Sequence, residues 1–300
     1  MTQPGVEARA RAAGVARPPA PFIVGVGRSG TTLLRMMLDS HSTLAIPPET
    51  NFATALAAFE RGGSGPAVEA MVANQLWGDY NLPADEFARR VESRRPRSFA
   101  DVLRVFFEFY AELREKPRWG NKTPYFLARM ALVQRLIPEA RFVHIVRDGR
   151  DVALSTVPLW FGPDDVAGVA GEWSRMLSLA RRQAQSLDHY AEVRYEDLVR
   201  EPVPALRRLC EFLELEWEPA MLDYHRHAAE RLAAELGDVV EGGRPVPREQ
   251  RLELWRLLDR PPQLDRVERW RREMSGADLQ AFEGVAAGTL RAFGYEPGRA

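Results

Sequence analysis

The run Phe22-Ile23-Val24-Gly25-Val26-Gly27-Arg28-Ser29-Gly30-Thr31-Thr32 constrains the fold of this chain more than any other. Its apolar half, entered through Pro21, reads as a strand buried on both faces. Leu33, Leu34, Met37 and Leu38 then recur at helical spacing up to Ser40. Strand, glycine turn and helix open an α/β unit, and Gly25 to Gly30 has the Gly-x-x-x-x-Gly spacing of a phosphate loop. Backbone N–H groups at the positive end of such a helix hold phosphate by themselves. Thr31 stands where triphosphate-binding loops carry lysine, and the nearest cation is Arg28. Triphosphate chemistry loses a main support in this way. A 5′-phosphate bearing one further group fits better.

Leu44-Ala45-Ile46 reads as a second short strand closed by Pro47-Pro48, which puts Glu49 at a strand-to-helix junction. Residues 51–116 are mostly helical in pattern and read as an insertion over the site, with no signature of a substrate. Beyond them the periodicity predicts a helix from Phe126 to Ile137, a buried strand from Arg141 to Val146 and a helix through Ser155. A long helix from Val166 to His189 follows, then a strand at Glu192 to Arg194, a loop at Tyr195 to Asp197, and a helix through Leu213. The expected fold is α/β: a phosphate-loop-like parallel sheet flanked by helices, with the helical insertion and a helical C-terminal part. Residues 1–20, rich in Ala, Arg and Pro, read as a disordered tail before a single domain at 21–300. Ligands of parallel sheets gather at the carboxyl ends of the strands. Gly27 to Thr32, Glu49, Lys122, Arg147 and Tyr195 all follow expected strand ends.

With 41 basic and 42 acidic residues the formal net charge is −1, so no general field draws nucleic acid or anionic membrane, and phosphate binding must be local. No stretch is apolar for long enough to span a bilayer. One cysteine, Cys210, lies in the helical pattern Leu206, Leu209, Cys210, Leu213 and excludes a disulfide framework within the chain. The expectation is a cytoplasmic protein. Lys116 and Lys122 are the only lysines among the 41 basic residues. Where arginine has so nearly replaced lysine, a surviving lysine marks a place that asks for a compact ammonium.

Three ordered segments carry a family resemblance: Arg28-Ser29-Gly30-Thr31-Thr32; Arg147-Asp148-Gly149-Arg150-Asp151-Val152-Ala153-Leu154-Ser155; and Tyr195-Glu196-Asp197-Leu198. They resemble the signatures of sulfotransferases that use 3′-phosphoadenosine 5′-phosphosulfate. The likeness runs from about Pro21 to Pro202 and weakly on to Gly294-Tyr295. It implies that the first motif binds the 5′-phosphosulfate and that Arg147 and Ser155 bind the 3′-phosphate. Around the loop the sequence is most similar to the tyrosylprotein type and its bacterial relatives. That similarity implies Glu49 as the base, and Lys122, in Gly120-Asn121-Lys122-Thr123-Pro124, as the cation that stabilises the transition state. No metal is implied. The acceptor would be a small-molecule, carbohydrate or peptide hydroxyl, with an amine as the further option.

Several alternatives stay open at this level. Glu49 also reads as an acid drawn to a helix N-terminus, Lys122 as a surface charge, and Arg147 as the partner of Asp148 or Asp151. Tyr195 is either a nucleotide contact or a loop aromatic closing the core. His41 is a competing base, and His144 reads as a satisfied core residue. Arg244 to Arg251 is a basic, proline-broken candidate for a 3′-phosphate loop. Arg266 to Arg272 reads as an amphipathic helix serving core and solvent. The rival functions are a kinase or nucleotide hydrolase, and a nucleotide-binding protein without catalysis.

Overall fold

A computed structural model describes residues 17–241 and 243–298. Its central sheet has four parallel strands in the order β4-β1-β5-β6: β1 (Ala20–Gly25), β4 (Asn121–Lys122), β5 (Ala140–Val146) and β6 (Tyr190–Arg194). The chain leaves β1 toward β4 on one side and leaves β5 toward β6 on the other. Their outgoing loops therefore part at the carboxyl ends, where doubly wound sheets open a crevice.

Alternation along the strands divides the core into two layers. Ile23, Val143 and Ile145 face helix α1 (Thr31–Asp39), while Phe22, Val24, Phe142 and Val146 face the opposite layer. All are buried, and each large side chain contributes on the order of 1.5–3 kcal/mol by leaving water. In the opposite layer lie α7 (Gly149–Thr156), α8 (Val166–Ala184) and α14 (Gly276–Ala292), numbered in chain order.

Between β2 (Leu44–Ala45) and β3 (Arg118–Trp119) the chain forms four helices: α2 (Ala53–Gly62), α3 (Ser64–Val72), α4 (Ala84–Arg94) and α5 (Phe99–Glu112). They enclose an aromatic core of their own. The Phe106 ring lies 5.0 Å from both Phe52 and Tyr80, edge to face. A capping box starts α5, with Asp101 N–H donating to Ser98 Oγ and Ser98 N–H donating to Asp101 Oδ2. Phe107 stacks on Trp119 at 4.7 Å, and Trp119 meets Phe22 of β1, so the inserted helices are joined to the central sheet through rings.

Several boundaries differ from those expected. Residues 1–16 of the expected tail lie outside the described residues, and β1 already begins at Ala20, paired with Ala140. β2 pairs with β3 in a side sheet rather than joining the central one. The helix expected at 126–137 is a 3-10 turn at Pro124–Ala128 followed by α6 (Met130–Leu136), because Arg129 takes an extended, non-helical φ. α8 stops at Ala184, and Asp188 is held in the following turn by Gln134. Tyr195 to Asp197 is no loop but the first turn of α9 (Tyr195–Arg200), which precedes α10 (Pro202–Leu213).

Gly149 opens α7 where helices crowd together: a Cβ there would lie 2.6 Å from both the Phe282 and Trp173 rings. Gly149→Ala should destabilise the fold by about 1–3 kcal/mol through overpacking. The check is a lower denaturation midpoint with an unchanged m-value.

Candidate active site

The glycine loop leaves β1 in a form that only certain residues tolerate. Arg28 and Gly30 both have positive φ, 65° and 97°. At Gly30 a Cβ would also lie 2.6 Å from the Tyr195 ring. This backbone leads into the N-terminus of α1, whose free N–H groups favour an anion. The side chains agree, since Ser29 Oγ and Thr32 Oγ1 are buried and have no hydrogen-bond partner among the described residues. Buried hydroxyls are rarely left so. Thr31 is buried beside them.

Arg147 follows β5 and reaches across to this loop. Its Nη1 donates to the Arg28 carbonyl at 3.1 Å and its Nη2 to the Arg266 carbonyl at 2.8 Å. The guanidinium lies over the Tyr195 ring at 4.2 Å. Tyr195 is thus placed between Gly30 and Arg147, backing both motifs. Neither suggested acid neutralises Arg147 well: Asp148 pairs with Arg150 at 2.7 Å, and Asp151 Oδ2 stays 3.9 Å away. Ser155 Oγ donates to the Asp151 carbonyl at 2.8 Å and accepts from Arg269 at 3.4 Å.

Arg28, Arg147, Arg266 and Arg269 therefore converge with little acid among them. Burial, with Arg147 and Arg269 nearby, pushes Arg28 down to about 10. Burial, only partly offset by Glu273, together with Arg266 and Arg147, also lowers Arg269. The Nε atoms of all four are buried without a hydrogen-bond partner among the described residues. Such a group is complete only with polyanionic oxygen to accept its donors. The residues fit a nucleotide with phosphate at two places, one at the loop and one near Arg147, Ser155 and Arg269.

Glu49 and Lys122 come together beside this site. β4 pairs with β1 so that Lys122 lies next to Ile23, and its Nζ donates to Glu49 Oε2 at 3.3 Å. Glu49 is half-buried; Lys122 is buried, and desolvation, partly opposed by Glu49, lowers its pKa. The insertion holds Glu49 from behind, through Tyr80 Oη donating to its carbonyl at 3.0 Å. His41 is no competitor, because its Nε2 lies 2.6 Å from the Glu216 carbonyl and its Nδ1 accepts from Thr43 N–H. His144 packs in β5 with Nδ1 2.7 Å from the Tyr190 hydroxyl.

Residues 19–219 match the model of the sulfotransferase family. The chain belongs to the sulfotransferase family. It is 26% identical over 288 residues to protein-tyrosine sulfotransferase 1 of Danio rerio, across 93% of this chain and 73% of that one. It is 25% identical over 289 residues to the protein-tyrosine sulfotransferase of Drosophila melanogaster, across 93% of this chain and 52% of the relative. The fold is shared with the solved sulfotransferase domain from the curacin biosynthetic pathway, at a TM-score of 0.60 and 20% identity over 95% of this chain and 100% of that one.

Membership of the sulfotransferase family implies 3′-phosphoadenosine 5′-phosphosulfate as the co-substrate. The sequence did not reveal which C-terminal arginines join the site. Arg266 to Arg272 is not one amphipathic helix: a 3-10 turn at Leu264–Arg266 and α13 (Trp270–Glu273) are separated by a bend in which Glu268 takes a φ of 52°. That bend brings Arg269 to Ser155, while Asp151 Oδ1 accepts from Trp270 N–H at 2.8 Å. In the other candidate, Arg244 to Arg251, Arg251 pairs with Asp79 and Arg248 donates to the Leu236 carbonyl, while Arg244 is exposed. The third motif has a supporting part as well. Glu196 accepts from Asp148 N–H and from the Tyr295 hydroxyl, tying the second motif to the C-terminal Gly294-Tyr295.

Arg269→Gln should weaken adenosine 3′,5′-bisphosphate binding about tenfold or more, the scale of a lost charge-assisted hydrogen bond. Titration calorimetry should show adenosine 5′-monophosphate almost unaffected by the same change.

Proposed function

We propose that the Glu49 and Lys122 pair carries out the transfer of the sulfuryl group to an acceptor hydroxyl. The observation that carries this reading is their 3.3 Å contact next to the loop, a half-buried carboxylate facing the buried ammonium. The donor supplies a sulfuryl group attached to a phosphate that can leave. Glu49 accepts the proton of the acceptor hydroxyl, whose oxygen forms the new bond to sulfur as the bridging bond to phosphate breaks. Lys122 balances the charge gathering on the departing oxygen, and its buried position strengthens that effect. Arg28, Ser29, Gly30, Thr31 and Thr32 hold the 5′ end. Arg147 and Ser155 hold the 3′-phosphate, joined by Arg269, and Tyr195 keeps Arg147 and the loop in place.

The relatives are protein-tyrosine sulfotransferases by name, and the acceptor here is a hydroxyl on a peptide, a carbohydrate or a small molecule. A cytoplasmic setting suits the single buried thiol of Cys210.

With sulfur-labelled donor and a panel of a tyrosine peptide, simple phenols, alcohols and sugars, Glu49→Gln and Lys122→Ala should each lower turnover about 10²- to 10⁴-fold. Calorimetry should show bisphosphate affinity preserved in both variants. ATP with magnesium should bind far more weakly than the bisphosphate, since it offers no 3′-phosphate to Arg147, Ser155 and Arg269. Undiminished turnover in either variant removes that residue from its role.

A further inference from the structure

Glu49 hangs on a short segment with few ladder bonds of its own. β2 ends at Ala45, and Pro47 and Pro48 have no N–H to donate. On the upstream side the last residue able to anchor the segment by both backbone groups is Ile46; on the downstream side Thr50 N–H donates to Thr123 Oγ1 at 3.2 Å and its carbonyl accepts from that hydroxyl at 3.0 Å. Helix α1 grips both groups of Ile46. Arg35 Nε donates to the Ile46 carbonyl at 3.0 Å, and Asp39 Oδ1 accepts from Ile46 N–H at 2.6 Å. Arg35 and Asp39 are four apart and share one helix face. Two prolines of fixed φ then carry that anchor on to Glu49.

Both anchoring side chains are buried and need partners of their own. These come from α11 (His225–Glu235), nearly 200 residues downstream of α1. Glu235 accepts from Arg35 Nη2 at 2.7 and 2.8 Å and from Arg231 Nε at 2.8 Å, and Arg231 in turn pairs with Asp39. Two cations and two anions close a ring, with Arg114 3.9 Å from Glu235 and Lys116 4.0 Å from Asp39 at its edge. Tyr110 of the insertion donates to Glu235 at 3.2 Å, and Lys116 donates to the carbonyls of Asp39 and Leu44. Burial alone would raise the Glu235 carboxyl, but Arg35 and Arg231 outweigh it and hold it at about 2. An ionic ring away from water is a weak source of stability compared with apolar packing, so its use calls for another explanation.

We propose that the ring Arg35–Glu235–Arg231–Asp39 is a positioning device that sets Glu49 against Lys122 by holding Ile46. Arg35 and Asp39 hold the backbone of Ile46, and Glu235 and Arg231 hold those two in turn; the charges of Arg35 and Glu235 also reach Lys122, so the test reads the effect of Glu49 on Lys122 rather than the Lys122 midpoint itself. The proposal rests on the reading of Glu49 as the base, and its test includes a readout that does not depend on turnover.

The sequence makes such a readout accessible, because protein labelled with ¹³C at the lysine ε-carbon gives two side-chain signals, Lys116 and Lys122. Lys122→Arg assigns them. The charged groups acting on Lys122 are Glu49, Arg35 and Glu235. The change that Glu49→Gln makes in the titration midpoint of Lys122 measures the Glu49–Lys122 contact, and repeating it in a ring variant completes a double-mutant cycle. Arg231→Gln is the first variant, since Arg231 is 23% exposed and the fold should survive its loss. Glu235→Gln is the second.

In both backgrounds the effect of Glu49→Gln on Lys122 should shrink at least twofold. Turnover with the best acceptor of the panel should drop about tenfold or more, the scale of a misplaced catalytic group, with donor KM and bisphosphate affinity within about twofold of the parent. An undiminished Glu49–Lys122 coupling in the folded Arg231→Gln protein overturns the proposal, whatever happens to turnover. Weakened coupling in an enzyme whose turnover is insensitive to Glu49→Gln establishes the positional role and instead removes Glu49 as the base.

Discussion

Like charges brought together in a partly buried cluster dominate this structure. Arg28, Arg147, Arg266 and Arg269 come from the loop after β1, the turn after β5 and the bend before α13, and they meet with Asp151 and Glu273 as the nearest acids. Such a meeting is unfavourable in isolation, and much of the surrounding packing holds it in place. Tyr195 lies under Arg147, Trp255 lies 4.9 Å from the Arg28 guanidinium, and Trp173 Nε1 donates to the Arg147 carbonyl. A site that keeps its cations fixed before the anion arrives has no reorganisation left to make when charge develops.

The second constraint runs along α1. Its N-terminus faces the loop, and its C-terminal half grips Ile46 through Arg35 and Asp39. One rigid helix therefore spans from the expected phosphate contacts to the segment that carries Glu49. The insertion adds Tyr80 to the same segment, and β4 brings Lys122 from the strand next to β1. Loop, Glu49 and Lys122 are held by closely packed elements, which leaves little freedom between them.

Local patterns were legible where the physical cause was itself local. The Gly25 to Gly30 spacing, the apolar strands at Phe22 and Phe142, and the scarcity of lysine are features of neighbouring residues or of composition. Scarcity singled out both lysines and the family resemblance pointed to Lys122, which is found against Glu49; Lys116, the other survivor, donates to two backbone carbonyls. Boundaries failed where distant contacts decide them. The turn at Asp188 depends on Gln134, and the helical start at Tyr195 is braced by its packing against Gly30 and by Glu196 reaching Asp148. Arg269 was hidden for the same reason, since an arginine beside tryptophan in a basic stretch has the periodicity of a solvated helix until a bend at Glu268 turns it inward.

By itself, the sequence determined the α/β order of elements, the glycine loop without a lysine and the family, because strand and helix periodicity and motif spacing are written within a few residues of one another. Tertiary structure alone decided which of 41 basic residues converge on the loop, that β2 belongs to a side sheet, and that Arg231 and Glu235 close the ring behind Glu49. Each of those depends on a contact between residues far apart in the chain, and such contacts exist only once the sheet has brought its edges and crossovers together.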